Sequence, residues 1–147
     1  MEKLNVKLLT DTAVLPVRAT EGSAGYDLRA DIAEPYTLKR GEIYPVPTGI
    51  AIGLCDKNSV AVVCARSGLA IKHGITLANA VGIIDSDYRG EIKVGLINLG
   101  SEDFTINPGE RIAQLLIMPC MTPELCVTEN LDETERGSGG FGSTGTK

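Results

Sequence analysis

The chain has 147 residues, 43% of them apolar, and a formal net charge of −5. That is one domain's worth, enough to bury a core without disulfides or a structural metal. The acidic balance and the lack of a Lys/Arg cluster argue against a nucleic-acid polymer as partner, but leave room for a single nucleotide held by a few local cations and backbone amides.

Frequent Gly, moderate Pro, no Trp and short alternating runs between turn signals predict an all-β sandwich or barrel. The N-terminal MEKLNVKLLT alternates polar and apolar residues and lacks the continuous apolar core of a signal peptide, so a cytoplasmic protein is expected. Within it, Leu4, Val6 and Leu8 alternate with Asn5 and Lys7 as a first strand. No apolar run approaches the ~20 residues that span a bilayer, so no membrane partner is expected. In PVRATEGSAGYDLRA, Gly22, Ser23 and Gly25 open a loop and Tyr26 to Ala30 resume an extended segment. Asp27 thus sits at a loop–strand junction, where capping is an aspartate's ordinary role. Leu38 to Gly41 turn into a strand from Ile43 to Val46; Pro47-Thr48-Gly49 turns again, and Ile50, Ile52 and Leu54 alternate with small residues.

Val60 to Ala65 is apolar on both faces, which suits a strand with one side on the core and the other on a partner subunit. In the following ARSGLAIKHG, Ser67 is placed as the N-cap of one short helix, Gly68 to Lys72, closed by His73-Gly74. Free amides, a hydroxyl and Arg66 there suit an anion, although a capped turn with a solvated arginine fits this segment equally well. The single histidine, His73, reads as part of the cap. Cys55, Cys64, Cys120 and Cys126 form no C-x-x-C pair, so neither a zinc site nor a disulfide framework is expected, and free thiols in strands are.

The central stretch Asn79 to Val94, NAVGIIDSDYRGEIKV, sets Asp85, Asp87 and Tyr88 between an apolar run, Val81 to Ile84, and an alternating run, Glu91 to Leu96. D-S-D-Y-R-G has the turn residues of a hairpin tip, where a carboxylate is either held on a rigid arm or only shapes the turn. Ile92, Val94 and Leu96 share one face; Ile97 and Leu99 shift phase, where a bulge is expected. Asn107-Pro108-Gly109-Glu110 suits a type II turn and feeds the strand RIAQLLIM. Gln114 in that strand is the anomaly: a buried amide left unpaired costs ~1 to 3 kcal/mol, so it pairs with backbone or with a ligand. Leu125 to Val127 predict a last short strand, and Glu129 to Glu135 an acidic link. In the closing RGSGGFGSTGTK, Phe141 has no apolar neighbours. A disordered linker is the plainer reading of such a tail; with Arg136 and many approachable amides it also suits a flap closing over a phosphorylated aromatic ligand.

Five segments in order, AGYD (Ala24 to Asp27), RSGLA (Arg66 to Ala70), GIIDSDYRG (Gly82 to Gly90), PGERIAQL (Pro108 to Leu115) and RGSGGFGSTG (Arg136 to Gly145), resemble the ordered motifs of the trimeric dUTP pyrophosphatases, with none missing. The resemblance implies a jelly-roll-like β-barrel or sandwich with one short helix over residues 1–135, and a flexible Gly-rich arm over 136–147 that closes over the active site. It also implies a homotrimer with active sites at subunit interfaces, each assembled from every chain. The implied reaction is hydrolysis of dUTP to dUMP and pyrophosphate, which keeps uracil out of DNA and supplies dUMP for thymidylate synthesis.

By the same resemblance, Asp85 is the general base that activates water for attack on the α-phosphorus. Tyr88 packs against the deoxyribose and excludes a 2′-hydroxyl. Asn79 and the backbone of Gly82, Ile83 and Ile84 read uracil, with Lys93 in the same base and sugar set. Arg66, Ser67, Gly68 and Gln114 hold phosphates. Asp27 acts through water on Mg²⁺, whose direct ligands are triphosphate oxygens. From the arm, Phe141 stacks over uracil while Arg136, Gly140, Ser143 and Thr144 meet the phosphates. The alternatives are a dCTP deaminase of the same fold, which would need an acid/base glutamate where Asp85 stands, and a catalytically idle nucleotide-binding trimer.

Overall fold

The computed structural model of the chain describes residues 3–140. Its elements follow in the order β1 (Asn5–Leu8), β2 (Tyr26–Arg29), β3 (Tyr36–Leu38), β4 (Ile43–Pro47), β5 (Ile50–Gly53), β6 (Ser59–Ala65), α1 (Ser67–His73), β7 (Ile75–Leu77), β8 (Gly82–Ile84), β9 (Lys93–Asn98), β10 (Phe104–Ile106) and β11 (Arg111–Pro119). The fold is all-β with one short helix, as expected. Three-residue strands such as β3, β7 and β10 are too short for an alternating pattern to mark them in sequence.

The strands form antiparallel sheets in the orders β2-β11-β6-β8 and β4-β9-β7, with two-stranded ladders β1-β5 and β10-β3. No two consecutive strands pair among the described residues, so every connection passes from one sheet to another. That overturns the hairpin reading of the central stretch. β8 pairs with β6, Ile84 opposite Ala61, whereas β9 lies between β4 and β7. The turn chemistry fixes the bend at residues 85–88 but not the partners. Crossing between sheets lets Ile84 from one, and Ile92, Val94 and Leu96 from the other, all reach the core.

Fully buried Leu28, Leu38, Val46, Ile50, Ile75, Ile106, Ile112 and Leu115 fill the space between the sheets. β9 carries no bulge: its ladder with β4 runs without a register shift from Lys93 to Ile97. Asn98 takes the inward slot instead, fully buried, its Nδ2 donating to Leu38 O (3.0 Å) and Glu102 O (2.8 Å) and its Oδ1 accepting from Gly100 N (2.9 Å). A polar side chain satisfied on three sides replaces the apolar residue that the alternation had led one to look for. The irregularity lies instead between Arg111 and Ala113, where β11 passes β2.

The type II turn forms as expected, with Glu110 N donating to Asn107 O (3.1 Å) and Gly109 at φ +73°. The helix starts one residue early. Arg66, extended at φ −87° and ψ 127°, occupies the N-cap without a side-chain cap bond, and Ser67 is the first helical residue. Gly74 closes the helix in the left-handed region. Leu125 to Val127 form no strand, because no free edge within the chain receives them, and both apolar side chains stand more than nine-tenths exposed. All four cysteines are free, but only Cys64 lies in a strand.

Two further features matter below. On the face of the four-stranded sheet turned away from the core, Asp27, Gln114 and Cys64 stand level across β2, β11 and β6, followed by Leu116, Val62 and Ile83, then Met118 and Val60. Near β3, the Tyr36 and Tyr44 rings stack at 3.8 Å and the Tyr36 hydroxyl donates to Glu42. That bond, then the Lys39 amide, holds the Glu42 carboxyl below its ordinary range; the same bond pushes the Tyr36 phenol up.

Candidate active site

A cavity of about 500 Å³ opens where β8 and β9 leave their sheets. Gly82, Ile83 and Ile84 line it from β8, Asp85 and Tyr88 from the connection beyond, Asn79 from the loop before, and Lys93 from the start of β9. Those are all the residues expected to serve catalysis, base and sugar outside the arm. β8 pairs with β6 on one side only and is an edge strand, so its other row of backbone N–H and C=O groups is left to a ligand. Gly82 passes close to β6: a Cβ there would stand 3.2 Å from Val63 Cβ, tighter than ordinary contact. Ala80, next to Asn79, sits at φ +63°, a conformation costly for any residue with a Cβ.

The connection from Asp85 to Gly90 is an arch closed by its own bonds. Tyr88 N donates to Asp85 O (3.1 Å), the Tyr88 hydroxyl to Glu91 O (3.0 Å), and Arg89 Nη1 to Ser86 O (2.9 Å) and Tyr88 O (2.8 Å). The Tyr88 ring lies against Gly90, where a Cβ would come within 2.6 Å of its Cζ. Asp85 is exposed at the rim.

Glu91, a glutamate in the central stretch to which the motif reading gave no role, also lines the cavity. Its carboxylate is engaged: Oε1 accepts from Gly49 N (3.0 Å) and Oε2 lies 3.6 Å from Lys93 Nζ.

A second polar cluster lies across β2, β11 and the end of β6. Asp27 Oδ2 accepts from Arg111 Nη1 (3.0 Å), Asp27 Oδ1 lies 3.4 Å from Arg66 Nε, and Arg66 Nη1 donates to Arg111 O (3.0 Å). Gln114 Nε2 donates to Ala65 O (3.0 Å), so backbone supplies the partner its amide needed. Gly25 passes over this amide so closely that a Cβ would meet Gln114 Oε1 at 2.9 Å. Ser67 and Gly68 stand exposed beside the cluster at the start of α1. Arg111 was not singled out in sequence; its one signal was a cation three residues before Gln114.

Among the described residues the cavity and the cluster share no lining residue. In the arm, Arg136 Nε donates to Gly139 O (3.0 Å) and Gly140 is exposed, while Phe141, Ser143 and Thr144 lie outside the described residues. No group of three His, Cys, Asp or Glu side chains converges among the described residues, and none of their helices is long and apolar enough to cross a membrane.

Known proteins are similar to this chain in sequence and in fold. The dUTPase family model matches residues 11–145. The deoxyuridine 5′-triphosphate nucleotidohydrolase of Hahella chejuensis (strain KCTC 2396) is 53% identical over 141 residues, covering 96% of this chain and 93% of that protein. Its counterpart in Sodalis glossinidius (strain morsitans) is 50% identical over 149 residues, covering 99% of each. Among solved structures, Staphylococcus bacteriophage 80alpha dUTPase with dUPNHPP is similar at a TM-score of 0.90 and 30% identity, over 99% of this chain and 100% of that one. Matched over nearly its whole length in sequence and in fold, the chain belongs to the dUTPase family.

Proposed function

We propose that the chain hydrolyses dUTP to dUMP and pyrophosphate as a homotrimer. The observation that carries this is the cavity where the free edge of β8, Asn79, Asp85 and Tyr88 converge. Backbone donors and acceptors on an edge strand, with one amide beside them, match uracil's pattern; cytosine reverses that pattern and would leave buried groups unpaired. Tyr88 bounds the sugar. Asp85 takes the proton from a water that attacks the α-phosphorus in line with the departing pyrophosphate. Glu91 is bonded to Gly49 and Lys93, which favours Asp85 over Glu91 as the reacting carboxylate and hydrolysis over deamination.

Arg66, Gln114 and the exposed Ser67 and Gly68 are assigned to the triphosphate. Their separation from the cavity supports a site completed between subunits. So does the outward face of β11, β6 and β8, where Ile83 and Met118 are 60% and 47% exposed beside the half-buried Leu116, Val62 and Val60. Arg136 to Lys147 form the closing arm, with Phe141 over the base and Arg136, Gly140, Ser143 and Thr144 on the phosphates.

Asp27 is the one carboxylate of the phosphate cluster, with each oxygen facing an arginine. Its remaining lone pairs suit water on a magnesium ion whose other oxygens come from the triphosphate. When bound, Mg²⁺ supplies charge neutralisation of the phosphates; Asp27 and its arginines orient them.

The test is pyrophosphate release from dUTP, dCTP, dTTP and UTP side by side, with Mg²⁺ and with chelator. Metal-dependent release from dUTP alone is expected. Ammonia released from dCTP would replace hydrolysis with deamination, and no turnover at all would leave a binding trimer.

A further inference from the structure

Tyr88 is fixed at three points: its amide on Asp85 O, its hydroxyl on Glu91 O, and its carbonyl on Arg89. Arg89 closes the arch. One nitrogen, Nη1, donates to the carbonyls of both Ser86 and Tyr88, holding two carbonyls of the same connection on one point. The guanidinium lies over Gly53 of β5, where an added Cβ would stand 3.7 Å from Nε. Among the described residues Arg89 enters no ion pair, so its charge is spent on these carbonyls. Donation from a charged group is roughly twice as strong as between neutral ones.

A wall that rejects one extra hydroxyl by bulk works only if it does not yield, because a pocket that can give discriminates weakly. Glu91 O holds the far end of the Tyr88 ring through its hydroxyl, and the backbone that sets its near end is anchored by Arg89. We infer that Arg89 is a positioning residue for sugar discrimination: it holds the arch so that the Tyr88 ring cannot tilt away from a 2′-hydroxyl. The inference rests on the reading of this cavity as the dUTP site.

The experiment compares kcat and KM for dUTP and UTP in the full-chain wild type, R89M and R89K. R89M is expected to lower the dUTP:UTP ratio of kcat/KM about tenfold, mainly through a lower KM for UTP, and R89K, with one charge but no fork, to fall between. A merely supporting role would weaken both nucleotides alike and leave the ratio in place. Amide hydrogen exchange at Tyr88, which needs no turnover, is expected to quicken in R89M. An unchanged ratio in a folded R89M overturns the inference; if R89M does not fold, an unchanged ratio in R89K does so. A wild type that turns over neither nucleotide overturns the dUTP reading itself and the sugar claim with it, whereas an active wild type with an unmoved ratio overturns this inference alone.

Discussion

Asp27 and Gln114 stand directly opposite each other on β2 and β11, and neither points freely into solvent. The carboxylate is held by Arg66 and Arg111, the amide by the Ala65 carbonyl. This pairing keeps two arginines beside one aspartate, a net positive charge on a protein that is acidic overall. Neutralising Asp27 should therefore disturb cation geometry more than fold. Asp27→Asn is expected to lower melting stability by about 1 kcal/mol or somewhat more, since the Arg111 side chain is 42% exposed but that of Asp27 only 14%, and to weaken the response of dUTP turnover to Mg²⁺. A magnesium titration of wild type and variant checks it, and an unaltered curve would detach Asp27 from the metal.

Asp85→Asn keeps the side chain's shape at the rim of the cavity and removes its basicity. Calorimetry should find dUTP binding within a few-fold of wild type while pyrophosphate release falls by about 100-fold or more. Undiminished turnover would take the role of base away from Asp85.

The described strands end at Pro119, ahead of residues 136–147, so removal of that segment cuts none of them. Sedimentation and thermal melting should therefore match wild type, with dUTP turnover strongly reduced. Full activity without the arm would end its proposed closing role.

The Tyr36–Glu42 contact gives a pH signature. Because the folded carboxyl is held below its ordinary range, it binds its proton less readily folded than unfolded. Its contribution is present above the unfolded value and is lost as pH falls through the folded one. Tyr36→Phe keeps the stack on Tyr44 but loses the hydroxyl. The variant should be less stable than wild type at neutral pH, and the gap should close as pH drops through the carboxylate range. Denaturant midpoints followed from neutral to acid read this directly; a gap that widened in acid would contradict the sign.

Ala80, at φ +63°, holds a conformation that glycine adopts without strain. Ala80→Gly should raise stability by up to about 1 kcal/mol. Chemical denaturation measures it, and a loss of similar size would mean that the methyl group packs better than the strain costs.

Turn chemistry and alternation made much of this molecule readable. Pro108-Gly109 marked the turn before β11, Gly74 the end of α1, alternating residues located β1, β5 and β11, and a run apolar on both faces located β6. Motif resemblance supplied the residues that line the cavity. What sequence could not supply was partner choice. Val81 to Ile84 and Glu91 to Leu96 look like a hairpin because they are close in the chain and joined by turn residues; only packing against β6 on one side and β4 and β7 on the other decides that they part. Asn98 was hidden for a related reason, as its three partners come from Leu38, Gly100 and Glu102 rather than from a pattern. Leu125 and Val127 alternate like a strand, yet alternation does not provide an edge to join.

The absence of any ladder between consecutive strands carries a kinetic consequence. β1 waits for β5, β2 for β11 and β3 for β10, so loop-closure entropy opposes every pairing before its contacts form. β11 sits between β2 and β6 in the largest sheet and is the last strand among the described residues. During synthesis β2 and β6 emerge long before the strand that joins them, and their edges stay open until Pro119 has left the ribosome. Completion of the four-stranded sheet thus comes late in synthesis, timed by the strand that also carries Gln114.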